Sequence, residues 1–351
     1  MAEVSITGNL NQGLTTDDLS GGTTTSRVQG MHGISGDNFI TFSGNEALDN
    51  GMKANFKLEQ ALDLNGTVST TSLFGANTTG NSIREAWVGV SGDFGSISVG
   101  NQYAPLFLAT IAAAPLGANN IKGAIGNLGL TAVLGGNSIV YNSPSLSGFN
   151  FSLMQNYGGK DTSGGDNAGN AYGYSVSYSN GPLALAYGRH ETTNSGGVTA
   201  NGATLVDLGS GALVGNSLGA NATTAGSSNA IKNSTIADGD TTTGQGVSIS
   251  YDLGVVKVGY WATRADFTNG DKIQGQSGAI SAPFGALTLG YTFGTGSATG
   301  NSVTSDYTGY QYTAKYALSK RTYVYLEGGQ LKDTTNDETR QTYGFGINHS
   351  F

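Results

Sequence analysis

The chain contains no cysteine, which excludes thiolate metal sites, a thiol nucleophile and disulfide staples. Charge is scarce: Asp, Glu, Lys and Arg make up 11% of the residues, under half of the usual ~25%. The formal sum is −8 and the pI is near 4.8, so the electrostatics argue against a nucleic-acid partner. Histidine is almost as rare. His32, His190 and His349 lack metal-ligand spacing to one another, so no histidine metal centre is expected. Long apolar runs are missing too. A membrane-spanning helix needs roughly 18 apolar residues, whereas the longest candidate, Pro105 to Ala118, is shorter and carries prolines at 105 and 115.

What the chain has is glycine, at 57 of 351 residues, about twice the usual ~7% share. Ser, Thr and Asn fill much of the rest, and the mean hydropathy is −0.17. Disordered chains share this composition but lack dispersed aromatics, and here 17 Tyr and 13 Phe fall largely at alternate positions. Ala54, Phe56 and Leu58 alternate with Lys53, Asn55, Lys57 and Glu59. Tyr172, Tyr174, Val176 and Tyr178 alternate with Gly and Ser, and Tyr343, Phe345 and Ile347 repeat the pattern near the end. Period two over segments of about ten residues is the signature of strands with one apolar and one polar face.

Short turns and long polar loops follow one another in alternation. The short turns are Asp49-Asn50-Gly51, Gly92 to Gly95, Ser145 to Gly148, Asn180-Gly181-Pro182, Asp252-Leu253-Gly254, Ala282 to Gly285 and Ser319-Lys320-Arg321. They predict sixteen strands, at about 3–13, 37–47, 52–62, 81–91, 96–103, 137–144, 149–158, 170–180, 183–192, 244–252, 255–265, 273–282, 286–295, 307–318, 322–333 and 339–351. The expected fold is all-β: one domain over 1–351, a 16-stranded antiparallel transmembrane β-barrel with both termini at the short-turn end. Closure is required because an open sheet edge in hydrocarbon leaves backbone groups unpaired. A barrel of this size encloses an aqueous lumen, which accounts for an inward face of Gly, Ser, Asn and Thr. Met1 before Ala2-Glu3-Val4 reads as an initiator placed ahead of a mature N-terminus, so export is the expectation.

Four motifs, in order along the chain, carry a family resemblance. They are Arg84 to Val90 leading into Gly92-Asp93-Phe94-Gly95 and Val99 to Gln102, Asn137 to Pro144 with Gly148-Phe149, Tyr316 to Thr322, and the terminal His349-Ser350-Phe351. Together they resemble the Gram-negative general porins. That resemblance implies a passive diffusion channel in the bacterial outer membrane, with small solutes and ions as its traffic. Its implied partners are two further copies in a homotrimer, outer-membrane lipid and lipopolysaccharide. The third long loop, about 103–136, would fold inward as a constriction, with the apolar run Leu106–Ala114 as a helical turn on the wall. The polar segment at about 191–244 would be a long extracellular loop.

The same alignment places Arg84, Lys53, Lys57 and Glu59 on the pore wall, with Asn119, Asn120 and Lys122 on the loop. Positions often basic in relatives read Asn9, Phe39, Ser43 and Asn101, and the loop has no acid. A weakly charged constriction follows as an expectation. Counting by two from Arg84 sets Ala86, Val88 and Val90 inward and Glu85 outward, at a trimer contact. No cofactor is expected; Ca²⁺ at acidic loops such as those holding Asp161 and Asp166 is the one ion to consider, without an EF-hand pattern. The rival readings are a barrel enzyme using His190, a surface adhesin or receptor, and a channel specific for one solute.

Overall fold

The computed structural model describes residues 3–19, 24–28, 38–62, 64, 83–112, 125–158, 170–193, 198–200, 234–236, 240–300 and 303–351. The first strands are β1 Glu3–Leu19, β2 Thr25–Val28, β3 Phe39–Ala47, β4 Lys53–Ala61, β5 Ile83–Gly92 and β6 Gly95–Tyr103. Helix α1, Pro105–Ile111, follows, then β7 Leu134–Asn142, β8 Phe149–Asn156, β9 Ala171–Asn180 and β10 Leu183–Thr193. Two short strands, β11 Val198–Ala200 and β12 Ser234–Ile236, precede β13 Thr241–Asp252, β14 Lys257–Phe267 and β15 Lys272–Phe284. The chain ends with β16 Leu287–Gly300, β17 Val303–Ala317, β18 Thr322–Asp333 and β19 Glu338–Ser350.

Neighbouring strands pair antiparallel in chain order, and β1 pairs with both β3 and β19. The sheet therefore closes on itself as a sixteen-stranded barrel. Strand β2 adds only a short pairing onto β1, and β11 with β12 forms a separate ribbon within the 191–244 loop, most of which lies outside the described residues. The closing seam is polar on its inner side. Asn348 Nδ2 and Ser350 Oγ both donate to Asn9 Oδ1, at 2.6 and 2.8 Å, and Gly8 and Phe351 exchange backbone bonds of 3.0 Å. Asn9 thus serves the seam.

Alternation sets the two faces. Val4, Ile6, Val88, Val99, Tyr291, Phe293, Phe345 and Ile347 are exposed on the outside, while Thr41, Ser138, Ser248, Ser277 and Thr313 are buried on the inside. A soluble barrel would reverse this; an apolar exterior and polar interior suit lipid outside and water within. The short turns need left-handed backbone, supplied for example by Gly181 (φ 57°) and Gly254 (φ 83°), because a tight hairpin matches the strand twist only with positive φ. Strand β1 runs beyond its expected end at residue 13. Backbone pairing continues to Leu19 opposite Arg340, and Arg340 Nη2 meets Asp17 Oδ2 at 3.2 Å. Beyond Leu14 both faces are polar over Thr15-Thr16-Asp17-Asp18, so the period-two signal stops before the strand does.

Candidate functional site

The inner wall of β3, β4 and β5 is built around one irregularity. The β4–β5 ladder pairs Phe56 with Val88 and Glu59 with Glu85, then jumps to Gln60 with Ile83. Arg84 is the extra residue of this β-bulge, a device that re-aims a side chain and resets the alternation beyond it. Arg84 Nε lies 2.9 Å from Glu59 Oε1, and Glu85 receives Lys57 Nζ, so both side chains point into the lumen. This corrects the outward assignment of Glu85 and the inward one of Val88 and Val90. Glu85 is 8% exposed, whereas Val88 at 61% and Val90 at 38% stand on the outer face.

Around the bulge the charges are matched. Lys57 Nζ lies 3.0 Å from Glu59 Oε2 and also pairs with Glu85. Thr41 Oγ1 donates to Glu59 Oε2 at 2.9 Å, and Trp87 Nε1 donates to Glu85 Oε1 at 3.2 Å. Arg84 completes the group by donating to Tyr103 Oη at 2.6 Å and stacking 5.3 Å from the Phe39 ring centre. Two cations and two buried carboxylates sum to zero. Burial makes that matching necessary, since a lone ionised carboxylate there is strongly disfavoured.

The other expected lining residues divide. Lys53 is exposed near the short-turn end of β4, on the same face as Lys57. Asn101 pairs with Ala86 in register with outward Val99 and Ile97, and its Nδ2 donates to the backbone oxygens of Arg84 at 2.9 Å and Ile83 at 3.5 Å. It therefore holds the bulge instead of lining the pore, because its alternation follows Val99. Asn119, Asn120 and Lys122 lie outside the described residues.

The loop after β6 is seated across the lumen on the wall that runs from β9 to β16. Its apolar run forms α1, with Pro105 in the first turn, where a missing N–H costs nothing. Pro105, Leu106, Ala109 and Thr110 are buried against β9, β10, β13 and β14. The returning segment is fixed by backbone bonds: Gly126 N–H donates to Ser277 Oγ at 2.8 Å, and Gly129 N–H to Thr263 Oγ1 at 2.9 Å. Trp261, 1% exposed, lies directly under Gly126. Wall glycines admit the loop. A Cβ on Gly188 would stand 2.7 Å from Leu106 Cα, and one on Gly296 would stand 2.8 Å from Ile125 Cγ2. The signal that could have found this seat is the recurrence of Gly244 with Gly246 and of Gly294 with Gly296 at period two. His190 belongs to the seat as well: it is 5% exposed, beside Gly173 close to Pro105, with Thr192 Oγ1 3.3 Å from its Nδ1.

The family profile described as Gram-negative porin matches residues 1–337. Among solved structures, an anion-selective porin from Comamonas acidovorans superposes with a TM-score of 0.77 at 19% identity, covering 100% of both chains. A loop-deleted form of OmpT, an outer membrane protein of Vibrio cholerae, gives 0.66 at 17% identity, with 100% of this chain and 99% of that one covered. Salmonella typhi OmpF in complex with daunomycin gives 0.65 at 14%, with 99% and 97% covered. At these identities the likeness is one of fold. A search among curated proteins returns no match. The profile match over nearly the whole chain, on a closed sixteen-stranded barrel, places this chain in the Gram-negative porin family of outer-membrane diffusion channels.

Proposed function

We propose that the channel passes small solutes and ions through a constriction of low net charge, that it works as a homotrimer, and that it performs no covalent chemistry. The observation that carries the first point is the zero-sum group of Lys57, Glu59, Arg84 and Glu85. Ions crossing a paired lining feel dipoles that fall off quickly, where an unpaired row of cations would draw anions through. Lys53, Phe39 and the loop residues Asn119, Asn120 and Lys122 are the further lining groups of this reading.

Support for the trimer comes from how the outer face is divided. Exposed outward residues on β1, β5 and β6 are the aliphatics Val4, Ile6, Val88, Val90, Ile97 and Val99. Most exposed aromatics, among them Phe149, Tyr174, Tyr260, Tyr291, Phe293 and Phe345, sit on strands from β8 onward, interleaved with aliphatics such as Leu153, Val247 and Leu326. Phe56 is exposed on β4. Aromatic rings suit a lipid interface, here that of outer-membrane lipid and lipopolysaccharide, whereas a flat Val/Ile sector suits packing against another copy. Planar-bilayer recording tests the whole reading. Openings in sets of three with a reversal potential near zero under a salt gradient are expected. Strong selectivity would refute the low-charge constriction, and single independent openings would refute the trimer.

A further inference from the structure

We infer that the channel holds a subsite for a small uncharged saccharide or polyol on its inner wall, just on the short-turn side of the constriction. This rests on the channel reading above and adds a solute class to it. The site is a cavity of about 360 Å³ on the lumen face of β5 to β8, within the size range of small-molecule sites. Tyr103 and Leu108 border it at the loop end, and Trp87 stands on its wall. Hydroxyls and amides complete the lining, among them Ser98, Gln102, Asn142 and Ser152.

The chemistry of this lining selects the ligand. Sugar hydroxyls both donate and accept, and Ser, Asn and Gln side chains offer the same two roles. Aromatic rings provide an apolar surface for the C–H face of a sugar ring. Ser152, one of the lining residues, carries a buried hydroxyl without a hydrogen-bond partner, a state that is costly to leave, and a turn of its side chain toward the cavity lets a ligand hydroxyl satisfy it. Charge is not available for binding. Glu85 is the one ionisable carboxylate among the described lining residues, and it already accepts from Lys57 and Trp87. An anionic or cationic solute finds no unmatched counter-charge there.

The test is a maltose titration of the open-channel current in planar bilayers, with gluconate as the charged control. Wild type should show saturable block by maltose and weaker block by gluconate. In Trp87→Ala the half-blocking concentration should rise about tenfold, the loss expected for one aromatic platform, each variant being read against its own sugar-free current. Ser152→Val, on the other side of the cavity, should weaken block as well. The chain has 2 tryptophans, so Trp261→Phe leaves Trp87 as the single indole, and its emission should change saturably with maltose in detergent. Non-saturable maltose block, tighter block by gluconate, or equal block in wild type and both cavity variants overturns the subsite while leaving the channel intact. Absence of any salt current from folded protein overturns the channel reading itself.

Discussion

Glu85→Gln offers the sharpest probe of the matched wall. The substitution keeps the shape and the acceptor for Trp87 Nε1, while Lys57 retains Glu59 at 3.0 Å. One negative charge is removed, so the group moves from zero to a net positive charge. A unit charge about 4 Å from a passing ion is worth ~1 kcal/mol in bulk-like water. In 0.1 M salt the screening length is about 10 Å, which leaves roughly 0.7 kcal/mol. An anion gains this and a cation loses it, a difference of about 1.4 kcal/mol or tenfold in relative permeability. Under a tenfold salt gradient, where the ideal limit is about 59 mV, the reversal potential should move by about 40 mV toward the anion value. Arg84→Gln should move it in the opposite direction by a similar amount. Shifts in the same direction for both variants, or shifts of only a few millivolts, would refute the reasoning that these four side chains set the field.

The seat of the loop makes a separate prediction: Gly188→Val places methyl groups against Leu106, an overpacking worth about 1–3 kcal/mol. The loop should be displaced, and exclusion of polyethylene glycols of graded size should register a changed pore width. At the closing seam, Arg340→Ala removes the cation paired with Asp17 from a site where Arg340 is 3% exposed, while Asp17 keeps its hydrogen bond from Thr342 Oγ1. Breaking a buried pair costs about 3–5 kcal/mol, and the temperature of heat unfolding in detergent should fall; an unchanged temperature would show the pair to be solvated. On the outer face, Val88→Trp should reduce trimer recovered by cross-linking, whereas Leu153→Trp among the aromatics should not. Equal losses in the two would remove the case for an aliphatic contact sector.

Much of the barrel was legible because lipid outside and water inside impose one simple rule on each strand. Phe56 and Leu58 against Lys57 and Glu59, or Tyr343, Phe345 and Ile347 near the end, show that rule residue by residue. The chemistry of reversal marked the short turns, where Gly181 and Gly254 occupy left-handed backbone. Local sequence determines these features since each depends on neighbours a few positions away. The Arg84 bulge is different. Nothing in Arg84-Glu85-Ala86 announces an extra residue, and only the ladder between β4 and β5 decides which of the two charged side chains, or both, enters the lumen. The same is true of Asn101, whose amide found the bulge carbonyls, and of Lys57, whose two carboxylates come from different strands. The seat of α1 centres on β10 and β13, four and five strands round the ring from the β6 strand it leaves, so the fit of Leu106 over Gly188 and of Gly126 over Trp261 is a long-range match. Alternation along each strand was written in the sequence, whereas charge balance, loop position and pore shape were set across strands, where the closed ring brings distant residues to contact distance.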